Sequence, residues 1–200
     1  MRACSNCGKD NPADARFCNA CGQELAAETR AGETRKTVTV VFCDVAGSPA
    51  LGERTDPEAL RRLMTRYYDA MKAVVEAHGG TVEKFIGDAV MAVFGVPQVH
   101  EDDALRAVRA ASEMRAALGD LNRDLEEEFG VAILTRIGVD TGVVVAGEPS
   151  AGQNLVLGDM VNTAARLEQA AAPGEILLGE DTYRLVRDAV VVEPVDPLTV

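Results

Sequence analysis

The part of the chain that organises the rest reads TVEKFIGDAVMAVFG, residues 81–95. β-branched and aromatic residues fill both halves with Gly87 and Asp88 between them, a pattern that predicts a β-hairpin with this dipeptide at its turn. An earlier strand-like run, TVTVVFCDV at residues 37–45, carries Asp44 near its end. Neighbouring strands would bring Asp44 and Asp88 together. Paired carboxylates are the hard oxygen ligands that Mg²⁺ prefers.

Helical and strand-like segments alternate through the remainder of the chain. The predicted elements are a helix from Asp56-Pro57 to His78 ended by Gly79-Gly80, a helix from residues 101–103 to before Gly130, a strand at 131–147 bent at Gly138 or Gly142, a helix opened by Gly158-Asp159, and two last strands, EILLG and VVVEP. Together they predict an α+β fold of ferredoxin-like or palm-like type, a βαββαβ core sheet with the helices on one face. A second molecule could pack on the open face.

Composition restricts the classes of partner. The 200 residues are 47% hydrophobic, enough for one full-sized core and a small appendage. A net charge of −12 argues against nucleic acid, because phosphate backbones are bound by clustered Lys and Arg. No apolar run approaches twenty residues, so we expect no membrane span and a cytoplasmic location.

Four of the five cysteines form two CxxC pairs near the start of the chain: Cys4, Cys7, Cys18 and Cys21. This spacing predicts one structural Zn²⁺ in a closed Cys₄ site. Two disulfides are the alternative, and a reducing cytosol disfavours them. Cys43, inside the first long strand, is expected to be a small core residue.

The first 25 residues resemble the short zinc ribbon found at the start of many multidomain bacterial proteins, which implies a folding role or docking to an unknown protein or domain. A zinc-ribbon adaptor for nucleic acid is disfavoured by the acidic charge. Residues 26–36 are polar and aperiodic, and are predicted to be a linker or a short frayed helix. The main domain is predicted to span residues 37–200.

A third group of polar residues lies in GDMVNTAARLEQA, residues 158–170. Asn162 and Arg166 are four residues apart and therefore share one face of a helix. With the VFCD and FIGD segments, this run makes residues 37–200 resemble a class III nucleotidyl cyclase. That family closes ATP or GTP into the 3′,5′-cyclic monophosphate with release of pyrophosphate.

The resemblance implies a role for each matching residue. Two Mg²⁺ or Mn²⁺ ions would be held by Asp44, Asp88 and the carbonyl of Val45. The triphosphate would lie on the amides of Ala46, Gly47 and Ser48 and near Arg136. Asn162 would orient the ribose, and Arg166 would compensate charge on the α-phosphate. Taken singly, each aspartate could be a solvated turn residue. Each arginine, and Asn162, could be an ordinary surface side chain.

The resemblance also bears on the choice of base. Lys84, four residues before the second metal-binding aspartate, is at the family's adenine-selecting position, where guanylate cyclases carry glutamate. The second base-contacting position is Leu155, which cannot accept a hydrogen bond from an exocyclic amine. ATP is therefore the expected substrate, with weakened selectivity.

The resemblance further implies a homodimer with composite sites, in which Asp44 and Asp88 of one protomer face Lys84, Asn162 and Arg166 of the other. The alternative is a catalytically weak cyclase-homology domain that binds nucleotide and dimerises as a regulatory module. Leu155 favours that alternative, as does the end of the chain at VEPVDPLTV, where family members continue into a Lys-Gly turn. That ending suggests a truncated piece of a longer protein.

Overall fold

The computed structural model describes residues 2–4, 6–12, 15, 17–23, 25, 34–146, 156–157, 159–196 and 198. The chain divides into two compact units, residues 1–32 and residues 33–200. Each unit is described by itself.

The first unit is built on two similar turns. Strand β1 (Arg2–Ala3) pairs antiparallel with β2 (Asp10–Asn11). In the first turn the amide of Gly8 donates to the carbonyl of Cys4, and in the second the amide of Gly22 donates to the carbonyl of Cys18. Both glycines have positive φ, 72° and 73°, which a residue with a Cβ adopts at a cost.

The second unit contains a mixed sheet flanked by helices. In chain order its elements are β3 (Thr34–Val45), α1 (Ser48–Arg54), α2 (Pro57–Ala77), β4 (Thr81–Ile86), β5 (Ala89–Phe94), α3 (Asp103–Phe129), β6 (Thr135–Ala146), β7 (Val156–Leu157), α4 (Asp159–Ala170), β8 (Ile176–Leu178) and α5 (Glu180–Val186). Among the described residues the strand order is β4-β5-β3-β6-β7, with β8 pairing parallel to β6. The predicted α+β class is confirmed.

The centre of the sheet is the antiparallel pair β3 and β6. Every residue of β3 has a partner in β6, from Thr34 opposite Ala146 to Val45 opposite Thr135. On the other side of β3 lies β5, which forms the predicted hairpin with β4. The turn of that hairpin therefore lies one strand away from the end of β3.

Two long helices cover one face of the sheet. α2 and α3 bury apolar side chains against alternate residues of the central strands, including Val41 and Cys43 of β3 and Ile137 of β6. The side chain of Asp56 caps α2 by accepting from the amides of Glu58 and Ala59. The predicted core role of Cys43 agrees with its complete burial.

The fourth helix, α4, lies outside the predicted βαββαβ core and packs on the opposite face of the sheet. Met160 and Ala164 of α4 join a second cluster with Val40 and Phe42 of β3. The close approach requires glycine in β6: a Cβ at Gly138 would lie 2.2 Å from the carbonyl oxygen of Ala164. The helices are therefore not all on one face.

Some boundaries also differ from the expectations. β3 begins at Thr34 instead of residue 37, because β6 is long enough to pair with the three residues assigned to the linker. β6 begins at Thr135 instead of residue 131. The segment VVVEP, residues 190–194, is not a strand, since none of the described strands pairs with it. The short helices α1 and α5 were not predicted as separate elements.

Candidate active site and zinc centre

The two aspartates converge as the strand pattern predicts. Asp44 is the penultimate residue of β3, and Asp88 lies in the turn between β4 and β5. Since Cys43 pairs with Val90, the turn carrying Asp88 lies beside the end of β3. The two carboxyl groups are close enough for Asp88 to raise the pKa of Asp44.

A partly buried basic residue lies against Asp44. Nη2 of Arg136, in β6 directly opposite Asp44, donates to Asp44 Oδ2 at 2.6 Å. The same nitrogen is 3.2 Å from Oε1 of Glu168 on α4. Glu168 is only 5% exposed. Two carboxylates, those of Asp44 and Glu168, therefore share one guanidinium in a partly buried space, with Asp88 beside Asp44.

The electrostatics of the cluster favour a further positive charge. Burial raises the pKa of Asp44, although Arg136 opposes the shift, and the neighbouring Asp88 adds to it. Burial, followed by the charge of Asp44, raises the pKa of Glu168 to about 7. Asp88 Oδ2 and Glu168 Oε1 are buried and accept no hydrogen bond from the described residues. One guanidinium does not satisfy this group of acids.

The donor set fits a hard divalent cation. Adjacent carboxylates supply the oxygen ligands that Mg²⁺ and Mn²⁺ take, and an unpaired buried carboxylate oxygen is a costly feature unless something binds it. The residues that could hold such ions are Asp44 and Asp88, with the carbonyl of Val45 at the strand end.

The loop after β3 fits the phosphate expectation only in part. The amide of Ala46 donates to the carbonyl of Leu134 at 2.8 Å, so it is not free for a phosphate. Pro49 has no amide hydrogen. Gly47 has a φ of 74° and precedes α1, which begins at Ser48. The amides of Gly47 and Ser48 therefore remain the candidates in this loop.

The remaining candidates are more exposed. Asn162 and Arg166 lie on the exposed side of α4, and their side chains form no hydrogen bond or ion pair with the residues that the structure describes. Lys84 is an exposed residue of β4, paired with Met91 on the α4 side of the sheet. Leu155 lies outside the described residues.

Two contributors were not predicted from the sequence. Glu168 is on the buried side of α4 with Ala164 and Leu167, and a charged residue on the apolar side of a helix was the available signal. Tyr68 of α2 donates its hydroxyl to the carbonyl of Gly87 at 2.5 Å, next to Asp88. That contact joins residues 19 positions apart and has no local sequence signature.

The zinc ligands predicted from spacing come together in the first unit. The Sγ atoms of Cys4, Cys7, Cys18 and Cys21 all lie within 4.8 Å of one another. The Cys4–Cys21 and Cys7–Cys18 separations are 3.7 and 3.6 Å, and none of the four forms a disulfide. Tetrahedral Zn–S bonds of ≈ 2.3 Å would place the sulfurs about 3.8 Å apart. Two of the sulfur pairs are therefore close to zinc-site spacing, and the other pairs lie within 4.8 Å.

Hydrogen bonds in the turns favour the thiolate that a metal needs. Backbone amides, that of Ala20 first, lower the pKa of Cys18 to about 6. Asn11, which is buried, also directs Nδ2 towards the Cys18 sulfur at 3.6 Å. The pKa of Cys7 is raised to about 12 despite a backbone hydrogen bond at Lys9, because its thiol donates to the neighbouring sulfurs. A bound cation would replace these shared protons.

None of the described helices combines the length and the apolar character needed to cross a membrane.

The chain matches two family models. Residues 31–200 match the adenylate and guanylate cyclase catalytic domain, and residues 4–25 match the zinc-ribbon domain. Adenylate cyclase 1 of Rhizobium meliloti is 33% identical over 137 residues, 67% of this chain and 21% of its own length. An adenylate cyclase of Anabaena cylindrica is 33% identical over 148 residues, 70% of this chain and 28% of its own. The chain thus spans less than a third of each of these two relatives.

Solved structures agree with these matches. The adenylyl cyclase CyaB of P. aeruginosa superposes with a TM-score of 0.75 at 34% identity, covering 79% of this chain and 84% of that one. The guanylyl cyclase Cya2 gives 0.78 at 31% identity, covering 84% and 89%. With the convergent aspartates and the four clustered thiols, these matches show that the chain belongs to the adenylate and guanylate cyclase family and carries a zinc-ribbon domain before its catalytic domain.

Proposed function

We propose that this chain is an adenylate cyclase that converts ATP to 3′,5′-cyclic AMP and pyrophosphate at the interface of a homodimer. The observation that carries the proposal is the convergence of Asp44 and Asp88, with a buried carboxylate oxygen left unpaired. Two divalent cations bound there would supply the charge that activates the 3′-hydroxyl and neutralises the leaving pyrophosphate.

The chain's own residues divide the remaining work. Asp44 and Asp88 hold the cations. The amides of Gly47 and Ser48 bind the triphosphate, since backbone N–H groups at a turn suit phosphate oxygens. Asn162 orients the ribose. Arg166 stabilises charge on the α-phosphate, a task that suits a planar, permanently charged guanidinium.

The location of Asn162 and Arg166 supports the dimer. Both side chains are exposed on α4, whereas the buried side of the same helix carries Glu168 to the aspartates. Arg166 and Glu168 are two residues apart and thus point in different directions from the helix axis. A second protomer could supply the Asp44–Asp88 pair that faces them. The solved relatives include one described as a non-canonical dimeric guanylyl cyclase domain and one described as monomeric.

Adenine is proposed as the base on the strength of Lys84, which can donate to a ring nitrogen that is an acceptor in adenine and protonated in guanine. Relatives of both kinds exist: one solved rhodopsin-guanylyl cyclase core with converted specificity holds ATPαS, and another guanylate cyclase domain holds GTP. We predict that Lys84→Glu lowers the ATP:GTP ratio of kcat/KM at least about tenfold, because one mismatched hydrogen bond costs about 1–3 kcal/mol. An unchanged ratio would show that Lys84 does not contact the base.

The function is tested by incubating the purified chain with ATP or GTP and Mn²⁺ or Mg²⁺, then separating the products by chromatography. Cyclic AMP and pyrophosphate in equal amounts are expected, with Asp44→Ala and Asp88→Ala each below about a tenth of the wild-type rate. Nucleotide binding and dimerisation without product would instead support the regulatory cyclase-homology domain.

A further inference from the structure

The partly buried Arg136 and the buried Glu168 have a part that the reaction itself does not require. We propose that Arg136 occupies Asp44 as an internal cation in competition with the divalent metal, and that Glu168 is the positioning residue that draws the guanidinium off Asp44 when the metal binds. The inference rests on the proposed function, because it concerns the same aspartates.

The geometry supports a guanidinium shared between two acceptors. One nitrogen, Arg136 Nη2, is 2.6 Å from Asp44 Oδ2 and 3.2 Å from Glu168 Oε1. Only the shorter contact has hydrogen-bond geometry, and Glu168 Oε1 accepts no hydrogen bond from the described residues. A small movement of the guanidinium towards Glu168 would complete that bond and release Asp44 Oδ2.

The charges make such an exchange necessary. A dication held by Asp44 and Asp88 would lie beside the permanent charge of Arg136, in a partly buried space where water screens the repulsion less than at an open surface. Glu168 is nearly inaccessible to solvent and is fixed on α4, whose backbone lies directly over β6 at Gly138. It is therefore a carboxylate fixed close to Arg136. Without it, the guanidinium would keep Asp44 as its single strong partner.

The proposal is tested by direct metal binding to the full, zinc-loaded chain, without nucleotide. Added Mn²⁺ is titrated, and the free ion is measured by electron paramagnetic resonance. Glu168→Gln is expected to weaken Mn²⁺ binding about tenfold or more, the size typical of residues that orient metal ligands. Arg136→Gln is expected to tighten it. Glu127→Gln makes the same chemical change at an exposed position of α3 and is expected to leave Mn²⁺ binding unchanged.

The double variant separates positioning from direct ligation. If Glu168 acts through Arg136, adding Glu168→Gln to Arg136→Gln should cost less than about threefold, because the effects of coupled residues are not additive. A full tenfold loss in that background would overturn the proposal and make Glu168 a direct metal ligand. Arg136→Met is a second uncharged background, and thermal melting of each variant verifies that it is folded.

The remaining outcomes distinguish this inference from the proposed function. Suppose that the wild type binds Mn²⁺, that Asp88→Asn abolishes this binding, and that Glu168→Gln binds Mn²⁺ as tightly as the wild type. This result overturns the role of Glu168 and does not contradict the proposed cyclase activity. If the metal affinities are as expected but the activity assay yields no cyclic nucleotide, the enzymatic proposal is overturned. The exchange of Arg136 between Asp44 and Glu168 is then still supported. Absence of Mn²⁺ binding by the wild type overturns both.

Discussion

Tyr68 connects the turn that carries Asp88 to the helical layer. Its hydroxyl donates to the carbonyl of Gly87, and its ring packs on Phe85 with centroids 4.6 Å apart. We predict that Tyr68→Phe lowers kcat/KM about tenfold and raises the Mn²⁺ concentration needed for half-maximal rate, since small displacements of a catalytic group are costly. Stability should fall by only about 1 kcal/mol. Steady-state kinetics and urea unfolding provide the two measurements.

Tyr183→Phe is the matched control for this substitution. Tyr183 is on α5 and 41% exposed, and its hydroxyl makes no hydrogen bond with the described residues. Loss of this hydroxyl should change neither the steady-state kinetics nor the stability. If Tyr68→Phe retained full activity with normal metal dependence, the turn would be positioned by its own backbone.

Asp140 makes stability depend on pH. Its carboxylate lies in β6 against Gly179, is buried, and for that reason has its pKa raised to about 6. Between the unfolded value of about 3.9 and 6 the folded state binds the extra proton, so the free energy of unfolding falls as pH rises through this window. We predict that Asp140→Asn removes the fall and is more stable than the wild type by about 1–2 kcal/mol at neutral pH, discounted for partial solvation.

Urea unfolding of both proteins at several pH values, from acid to neutral, checks this prediction. The difference in free energy between them should grow as pH rises and then level off. A difference independent of pH would mean that Asp140 is ionised in the folded state throughout.

The convergence of the two aspartates was predictable and their surroundings were not. Asp44 and Asp88 each terminate an alternating apolar run, so strand pairing alone brings them together. The pairing of Arg136 with Glu168 depends on which face of the sheet α4 covers. The local sequence does not show which face α4 covers. The glycines of β6 that allow the helix to approach are equally consistent with bends in the strand.

Among the elements, those with strong local signals were predicted and those that depend on a partner were not. The boundaries of α2 follow from its Asp cap and proline start, and α3 ends at Gly130, which has a φ of 66°. The VVVEP segment has high β propensity but no neighbouring strand among the described residues, and Val191 is fully exposed. β propensity becomes structure only where a pairing edge is available.

The zinc ribbon should depend on its metal independently of the sheet. We predict one Zn²⁺ per chain, and we predict that a chelator or Cys7→Ser collapses the amide NMR dispersion of residues 2–25, because metal binding supplies most of the folding energy of such small units. The melting temperature of residues 33–200 should not change, since they form a separate compact unit with its own core. A lowered melting temperature would contradict this independence.

The whole assembly is tested by mixing two inactive proteins. In the proposed homodimer, Asp88→Ala and Arg166→Ala each remove one half of a composite site. In a mixed dimer, one site has every required residue and the other lacks both. We predict that mixing restores roughly a quarter of the wild-type activity, as expected if half of the dimers are mixed and each has one working site. Subunit exchange, shown separately by labelled protein, is the control, and failure to complement would place each site within a single chain.

The long β3–β6 ladder also affects how the chain is made. β3 is complete at Val45, but its partner begins only at Thr135, about 90 residues later. At ordinary synthesis rates, the ribosome takes roughly 5–20 s to supply that partner. Until then, β5 can cover one edge of β3, and the other edge is an open template for another nascent chain. Translation speed between residues 45 and 135, more than the stability of the finished sheet, should then determine how much of the protein escapes aggregation.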